Sequence, residues 1–141
     1  MIGRTFLIID PGSQKSGIAL LDEKGTVLEK KTCTNSEASE YAVFLDQKYK
    51  PEAWIFGDKG AGKSIRKEIT GKNSREVAVI IADEHKSSEE GRELYWEEHP
   101  PIGVRKFIPI GFQVPSEPWD DYAAVVIGRR WLEKNIPIEK A

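Results

Sequence analysis

The chain is 141 residues long and carries 21 Lys+Arg against 23 Asp+Glu, a formal net charge of −2. This length predicts one compact unit, residues 1–141, able to bury roughly two-thirds of its unfolded surface without covalent staples. The near-balance of charge excludes a chain-wide basic field as the basis for nucleic-acid binding. The single cysteine, Cys33, excludes an intrachain disulfide and a Cys-cluster zinc site and reads as a small buried residue. The apolar run between Arg4 and Pro11 is too short for a signal peptide or a membrane span, so a cytoplasmic protein without a membrane partner is expected.

In chain order, Thr5–Asp10, Gly17–Asp22 and Gly25–Lys31 read as three strands. Their links are too short for parallel crossovers and predict an antiparallel meander. Thr34 and Glu37 have capping-box spacing, and Ala38, Tyr41, Ala42 and Leu45 recur at helical intervals, predicting a helix that ends before Pro51. Ala53–Gly57 reads as a strand and Lys63–Lys72 as a short helix. Val77–Ala82, an unbroken and mostly β-branched run, reads as a central strand buried on both faces. Ser87 with Glu90 predicts a second capping box, opening a helix through Leu94, Tyr95 and Trp96 that stops before Pro100. The proline-rich stretch to Pro118 predicts a loop with one edge strand at Val104–Ile108. A last helix, Asp120–Lys134, has Ala123, Val126, Ile127 and Trp131 as its core stripe. The class is α/β: a mixed sheet, antiparallel meander plus two parallel strands, flanked by helices.

Acids gather where strands end. Asp10 closes the first strand, Asp58 follows the fourth, Asp83 and Glu84 follow the fifth, and Asp120 and Asp121 open the last helix. Ligands of open sheets bind beyond the carboxyl ends of parallel strands. Carboxylates converging there suit a hard divalent cation, which takes one or two of them and fills its shell with water and phosphate. Asp before Pro-Gly is also a common turn former and Asp at a helix start a common cap, so the signal lies in the set and not in any one member.

Asp10-Pro11-Gly12-Ser13-Gln14-Lys15-Ser16-Gly17-Ile18-Ala19 resembles the opening strand and turn of the RuvC-like branch of the ribonuclease H superfamily, in particular the YqgF (RuvX) group. Asp83-Glu84-His85-Lys86-Ser87-Ser88 resembles that group's Asp-Glu-Arg-Leu-Thr-Thr, and Asp120-Asp121-Tyr122-Ala123-Ala124-Val125 its C-terminal Asp and alanine-rich helix. His85 and Lys86 depart from the pattern. The resemblance implies a ribonuclease H-like domain and a nuclease whose Mg²⁺ or Mn²⁺ is held by Asp10, Glu84 and Asp120 or Asp121; Asp83, at the end of the fifth strand, is a further candidate metal ligand from its position. It implies branched DNA (a Holliday junction) or precursor ribosomal RNA as substrate. Asp58 is another acid to weigh, because RuvC proper takes its second acid from the end of the fourth strand.

Lys15, Lys63, Arg66 and Lys67 are the cations placed to neutralise phosphates, and Trp119, beside Asp120, is the aromatic placed to stack on a base. Trp54 and Trp131 fall on core faces, and His85 and His99 lack the spacing of a helical zinc pair. Gly57-Asp58-Lys59-Gly60-Ala61-Gly62-Lys63-Ser64 fits the phosphate-loop pattern, with Asp83 as a second metal contact, and supports a rival reading as a nucleotide hydrolase. The antiparallel meander before the loop argues against that frame, and the same loop serves a nuclease by holding a backbone phosphate. A third reading is a binding or ribosome-assembly module without catalysis. A junction substrate needs two symmetric cuts, which predicts a homodimer.

Overall fold

A computed structural model describes residues 3–58, 67, 71, 75–83, 85–109, 113, 115 and 118–136. The elements run β1 (Thr5–Pro11), β2 (Lys15–Asp22), β3 (Val27–Thr34), α1 (Asn35–Tyr49), β4 (Ala53–Gly57), β5 (Ala78–Ala82), α2 (Ser87–Glu98), a 3-10 turn (Gly103–Phe107) and α3 (Asp120–Asn135). They form a five-stranded sheet of order β3-β2-β1-β4-β5. The meander is antiparallel, with Ile8 opposite Ala19 and Gly17 opposite Thr32. The excursion through α1 lets β4 return parallel to β1, pairing Ile9 with Phe56, and β5 then lies parallel to β4.

Strand alternation divides β1 between two cores. Leu7 and Ile9 point to α1, where they join Ile18, Leu20, Trp54, Phe56, Ala42 and Leu45. Phe6 and Ile8 point to α3, where they join Ala19, Leu21, Ile55, Val125, Ile127 and Leu132. The α1 side is pinned by a buried carboxylate. Asp46, 1% exposed, accepts the Trp54 indole N–H at 2.8 Å and a bidentate Arg75 guanidinium at 2.7 and 3.0 Å. Arg75 also donates to the Pro51 carbonyl, tying the end of α1 to the entry of β5. Cys33 is buried, as its composition suggested, and burial raises its thiol pKa. Among the described residues no helix is long and apolar enough to cross a membrane.

The structure corrects the sequence reading in four places. β5 is not a central strand buried on both faces: it lies at the end of the sheet, and Val79 and Ile81 are 44% and 47% exposed. The cause is the reach of α1, which packs on β1, β2 and β3 and does not extend over β5. Gly103–Phe107 is a 3-10 turn, not an edge strand, and it starts from Gly103 at a φ of +65° that no strand continues. Neither capping box forms. Thr34 is the N-cap of α1 but its hydroxyl meets Ser36, and α2 is entered from Lys86 in the left-handed region while Ser87 is already helical. Val126 is half-buried, and the buried stripe of α3 is Ala123, Ala124, Val125, Ile127, Gly128 and Leu132. The expected helix at 63–72 lies outside the described residues apart from Lys67 and Gly71.

Candidate active site at the end of the sheet

Asp10, the residue after Ile9 on β1, is on the α3 side by alternation with Phe6 and Ile8. In register it stands opposite Gly17 of β2, which stands opposite Thr32 of β3. This row crosses three strands, and the first residues of α3 lie on it. At the β3 end the Asp121 N–H donates to the Thr32 hydroxyl at 3.2 Å. In the middle, a Cβ built on Gly17 would lie 1.9 Å from the Asp120 carbonyl oxygen and 2.7 Å from the Asp121 nitrogen. No side chain larger than hydrogen fits there. The missing side chain is what lets the helix start settle onto the sheet beside Asp10.

The paired acids of α3 have different surroundings. Asp121 is buried, 3.2 Å from the Lys30 ammonium of β3, and its other oxygen accepts the Tyr122 N–H at 3.0 Å. Burial pulls the Lys30 pKa down, but the charge and hydrogen bond of Asp121, together with Tyr122, outweigh it and leave that pKa raised. The ammonium also lies over the Tyr122 ring, 4.2 Å from its centroid. Asp120, over the middle of the row, is half-buried, and desolvation is the main reason its pKa is raised. Its own backbone N–H opposes that shift, the neighbouring Asp121 charge adds to it, and Lys15 at the start of β2 opposes it. A desolvated carboxylate beside a second one is a poor resting place for a charge and a good one for a hard cation.

No family model matches the sequence, and no curated protein matches it. Among solved structures, RuvC from Thermus thermophilus in complex with a Holliday junction substrate superposes with a TM-score of 0.56 at 12% identity, over 94% of this chain and 97% of that one. The chain has a ribonuclease H-like fold. A second Thermus thermophilus RuvC structure superposes with a TM-score of 0.49 at 15% identity, over 87% and 89% of the two chains.

Within the ribonuclease H-like sheet the remaining predicted site residues are dispersed. Glu84, Lys63 and Arg66 lie outside the described residues, as does the phosphate loop beyond Asp58. Asp58 directly follows β4, and the Ile9–Phe56 pairing sets it one residue beyond the level of Asp10. Asp83, just past β5, is fully exposed and accepts the His85 N–H at 2.9 Å. That hydrogen bond lowers its pKa, and His85, Arg130 and Lys134 are the charges that add to the effect. Arg130 and Lys134 lie well along α3 from Asp120, so Asp83 faces a different part of the helix. Among the described residues, no three His, Cys, Asp or Glu side chains form a metal-holding group. The row sets the backbone of Asp120 over Gly17, the cross-strand partner of Asp10. Two hard carboxylate ligands are within what Mg²⁺ or Mn²⁺ takes from protein, so the donor set fits such an ion.

Lys15 is exposed beside Asp120, where a cation can meet an incoming phosphate. Lys67 is exposed. Trp119 packs against the cluster of Tyr95, Trp96 and Tyr122, and its indole N–H donates to the Ser88 carbonyl at 3.1 Å, so its main contacts brace α2 against α3. The reading from sequence missed Asn35. Its side chain accepts the Ser16 hydroxyl at 2.6 Å and donates to the Gly12 carbonyl at 3.0 Å, clamping the turn that carries Lys15. An Asn at a helix start signals only a cap, and nothing in one sequence marks it as a clamp.

Proposed function

We propose that this chain is a divalent-metal-dependent endonuclease that hydrolyses phosphodiester bonds of structured nucleic acid. The observation that supports it most is the row Asp10–Gly17–Thr32 with the start of α3 seated on it, which sets the backbone of Asp120 over Gly17, the cross-strand partner of Asp10. We assign Asp10 and Asp120 as metal ligands, with Glu84 as the third acid, and Asp121 as the residue that anchors α3 through Lys30 and Thr32. When bound, Mg²⁺ or Mn²⁺ polarises the scissile phosphate and lowers the pKa of the attacking water. Lys15 neutralises the phosphate next to the ligands, and Lys63, Arg66 and Lys67 extend that contact along the strand.

The similarity to a RuvC bound to a Holliday junction makes a four-way DNA junction the first substrate to test, and a precursor ribosomal RNA fragment the second. Two symmetric cuts in a junction call for a homodimer. Labelled forms of both substrates are incubated with Mg²⁺ or Mn²⁺ and wild-type protein, Asp10→Asn, or wild type with EDTA. Cutting is expected only with wild type and metal. Retained cutting by Asp10→Asn would overturn the site. Salt-sensitive binding without any cutting would make the chain a binding module. Nucleotide binding abolished by Lys63→Ala and spared by Asp10→Asn would favour the phosphate-loop reading.

A further inference from the structure

We infer that the cavity under the β2–β3 hairpin is a nucleotide-binding pocket, separate from the acids that hold the metal. It has a volume of about 690 Å³, within the usual range for small-ligand sites. Its walls come from the hairpin, from α2 and from α3. Three cations line it, Lys24, Lys30 and Arg129, against one acid, Glu98. Lys30 is already paired with Asp121, but among the described residues neither Lys24 nor Arg129 has a carboxylate within ion-pair distance. The guanidinium of Arg129 is nonetheless fixed, because its Nε–H donates to the Gly25 carbonyl at 3.0 Å. That bond leaves the guanidinium's other N–H donors to meet a ligand.

The remaining wall is apolar, with the half-buried side chains of Val27 and Leu94 on its surface. An inorganic anion would leave this surface unused, whereas a nucleotide matches both halves, its phosphate at Lys24 and Arg129 and its base against the apolar wall. The pocket adjoins the site, since Lys30 and Tyr122 border it and Asp121 separates Tyr122 from Asp120 in sequence. Arg129 lies nine residues along α3 from Asp120, about 13 Å, so a strand whose phosphate lies at Asp120 can place a nucleotide two positions along in this pocket; this strand-bound form rests on the nuclease reading. A free nucleoside monophosphate offers the same chemistry, and the test separates the two sources.

The test needs neither metal nor cutting. Binding of a labelled four-way junction in EDTA is measured against salt for wild type, Lys24→Glu and Lys24→Glu/Arg129→Gln. In parallel, amide spectra of wild type are followed during titration with AMP, adenosine and inorganic phosphate. Lys24 is an exposed turn residue, so its single variant tests the pocket even if the loss of the Arg129 bond to Gly25 perturbs folding of the double variant. For a strand nucleotide, junction affinity falls about tenfold in Lys24→Glu. The double variant also lowers the slope of log affinity against log salt by about 1, for the one phosphate that the two cations share. For a free nucleotide, AMP gives saturable shifts at Val27 and Leu94 that adenosine and phosphate do not, while junction binding stays at wild-type strength. Wild-type junction binding in Lys24→Glu with no AMP shifts overturns the pocket. If the protein cuts its substrate, that result leaves the nuclease reading standing. AMP shifts in a protein that never cuts would leave the pocket and remove the nuclease.

Discussion

The two faces of the sheet are built from the same strands to different ends. The α1 face is closed by large side chains: Trp54 and Phe56 are fully buried, and the polar atoms of Asp46 that lie beneath α1 are met by Trp54 and Arg75. The α3 face is closed by missing side chains. Gly17 admits the backbone of Asp120, and Gly128 admits Ile8 and Leu21, whose atoms would lie 2.7 Å from an added Cβ. The first design secures the fold, because the groups that α1 covers are packed or paired. The second lets the start of α3 come down on Gly17, the cross-strand partner of Asp10, and it accepts a desolvated Asp120 carboxylate. The proposed site therefore lies on the side of the sheet opposite the Asp46 cluster, and substitutions on each side should separate stability from chemistry.

The largest loss of stability is expected from Asp46→Ala. It leaves the Trp54 N–H and the Arg75 guanidinium without their buried acceptor and should cost about 3 kcal/mol, read from urea unfolding. Because this change is on the α1 side, turnover per folded molecule should stay within twofold of wild type. Gly17→Ala is the converse. Its new Cβ meets backbone that cannot rotate away, so about 2 kcal/mol is lost and α3 shifts off the row. Cleavage should fall at least a hundredfold, far beyond what partial unfolding explains. Gly128→Ala meets side chains instead of backbone and should cost about 1 kcal/mol with little effect on cleavage.

The smallest effect has the opposite sign. The folded-state pKa of Asp120 is raised, chiefly by desolvation, so folding favours its protonated form. The associated stability is complete below the unfolded pKa and is lost as pH rises through the folded one. In EDTA at neutral pH, Asp120→Asn removes a penalised charge and should stabilise the protein by less than about 1 kcal/mol, since the group is half in water. The gain should vanish as the pH is lowered below the ordinary carboxylate range. A destabilised Asp120→Asn would mean that the ionised carboxylate has a partner the desolvation argument omits.

Much of this division was legible in the sequence, for reasons that are local. The short links after Asp10 and Asp22 impose an antiparallel meander, and the helical period from Ala38 to Leu45 supplies the crossover that makes β4 parallel. The outer position of β5 was not legible, because VAVIIA has the composition of a buried strand and only the reach of α1 leaves Val79 and Ile81 in the open. The acids could be named from their places at strand ends and a helix start. Separating Asp120 from Asp121 required Lys30 and Thr32, which lie on β3, about ninety residues earlier. Gly17 was visible as part of a motif, but its role exists only where α3 comes down on it.

The central claim, that Asp10 and Asp120 share one metal ion, is tested most directly by Mn²⁺ titration followed by electron paramagnetic resonance on wild type, Asp10→Asn, Asp120→Asn and Asp83→Asn. One saturable Mn²⁺ site is expected in wild type, weakened at least tenfold by either Asp10→Asn or Asp120→Asn and unchanged by Asp83→Asn. Wild-type Mn²⁺ affinity in both Asp10→Asn and Asp120→Asn would contradict it.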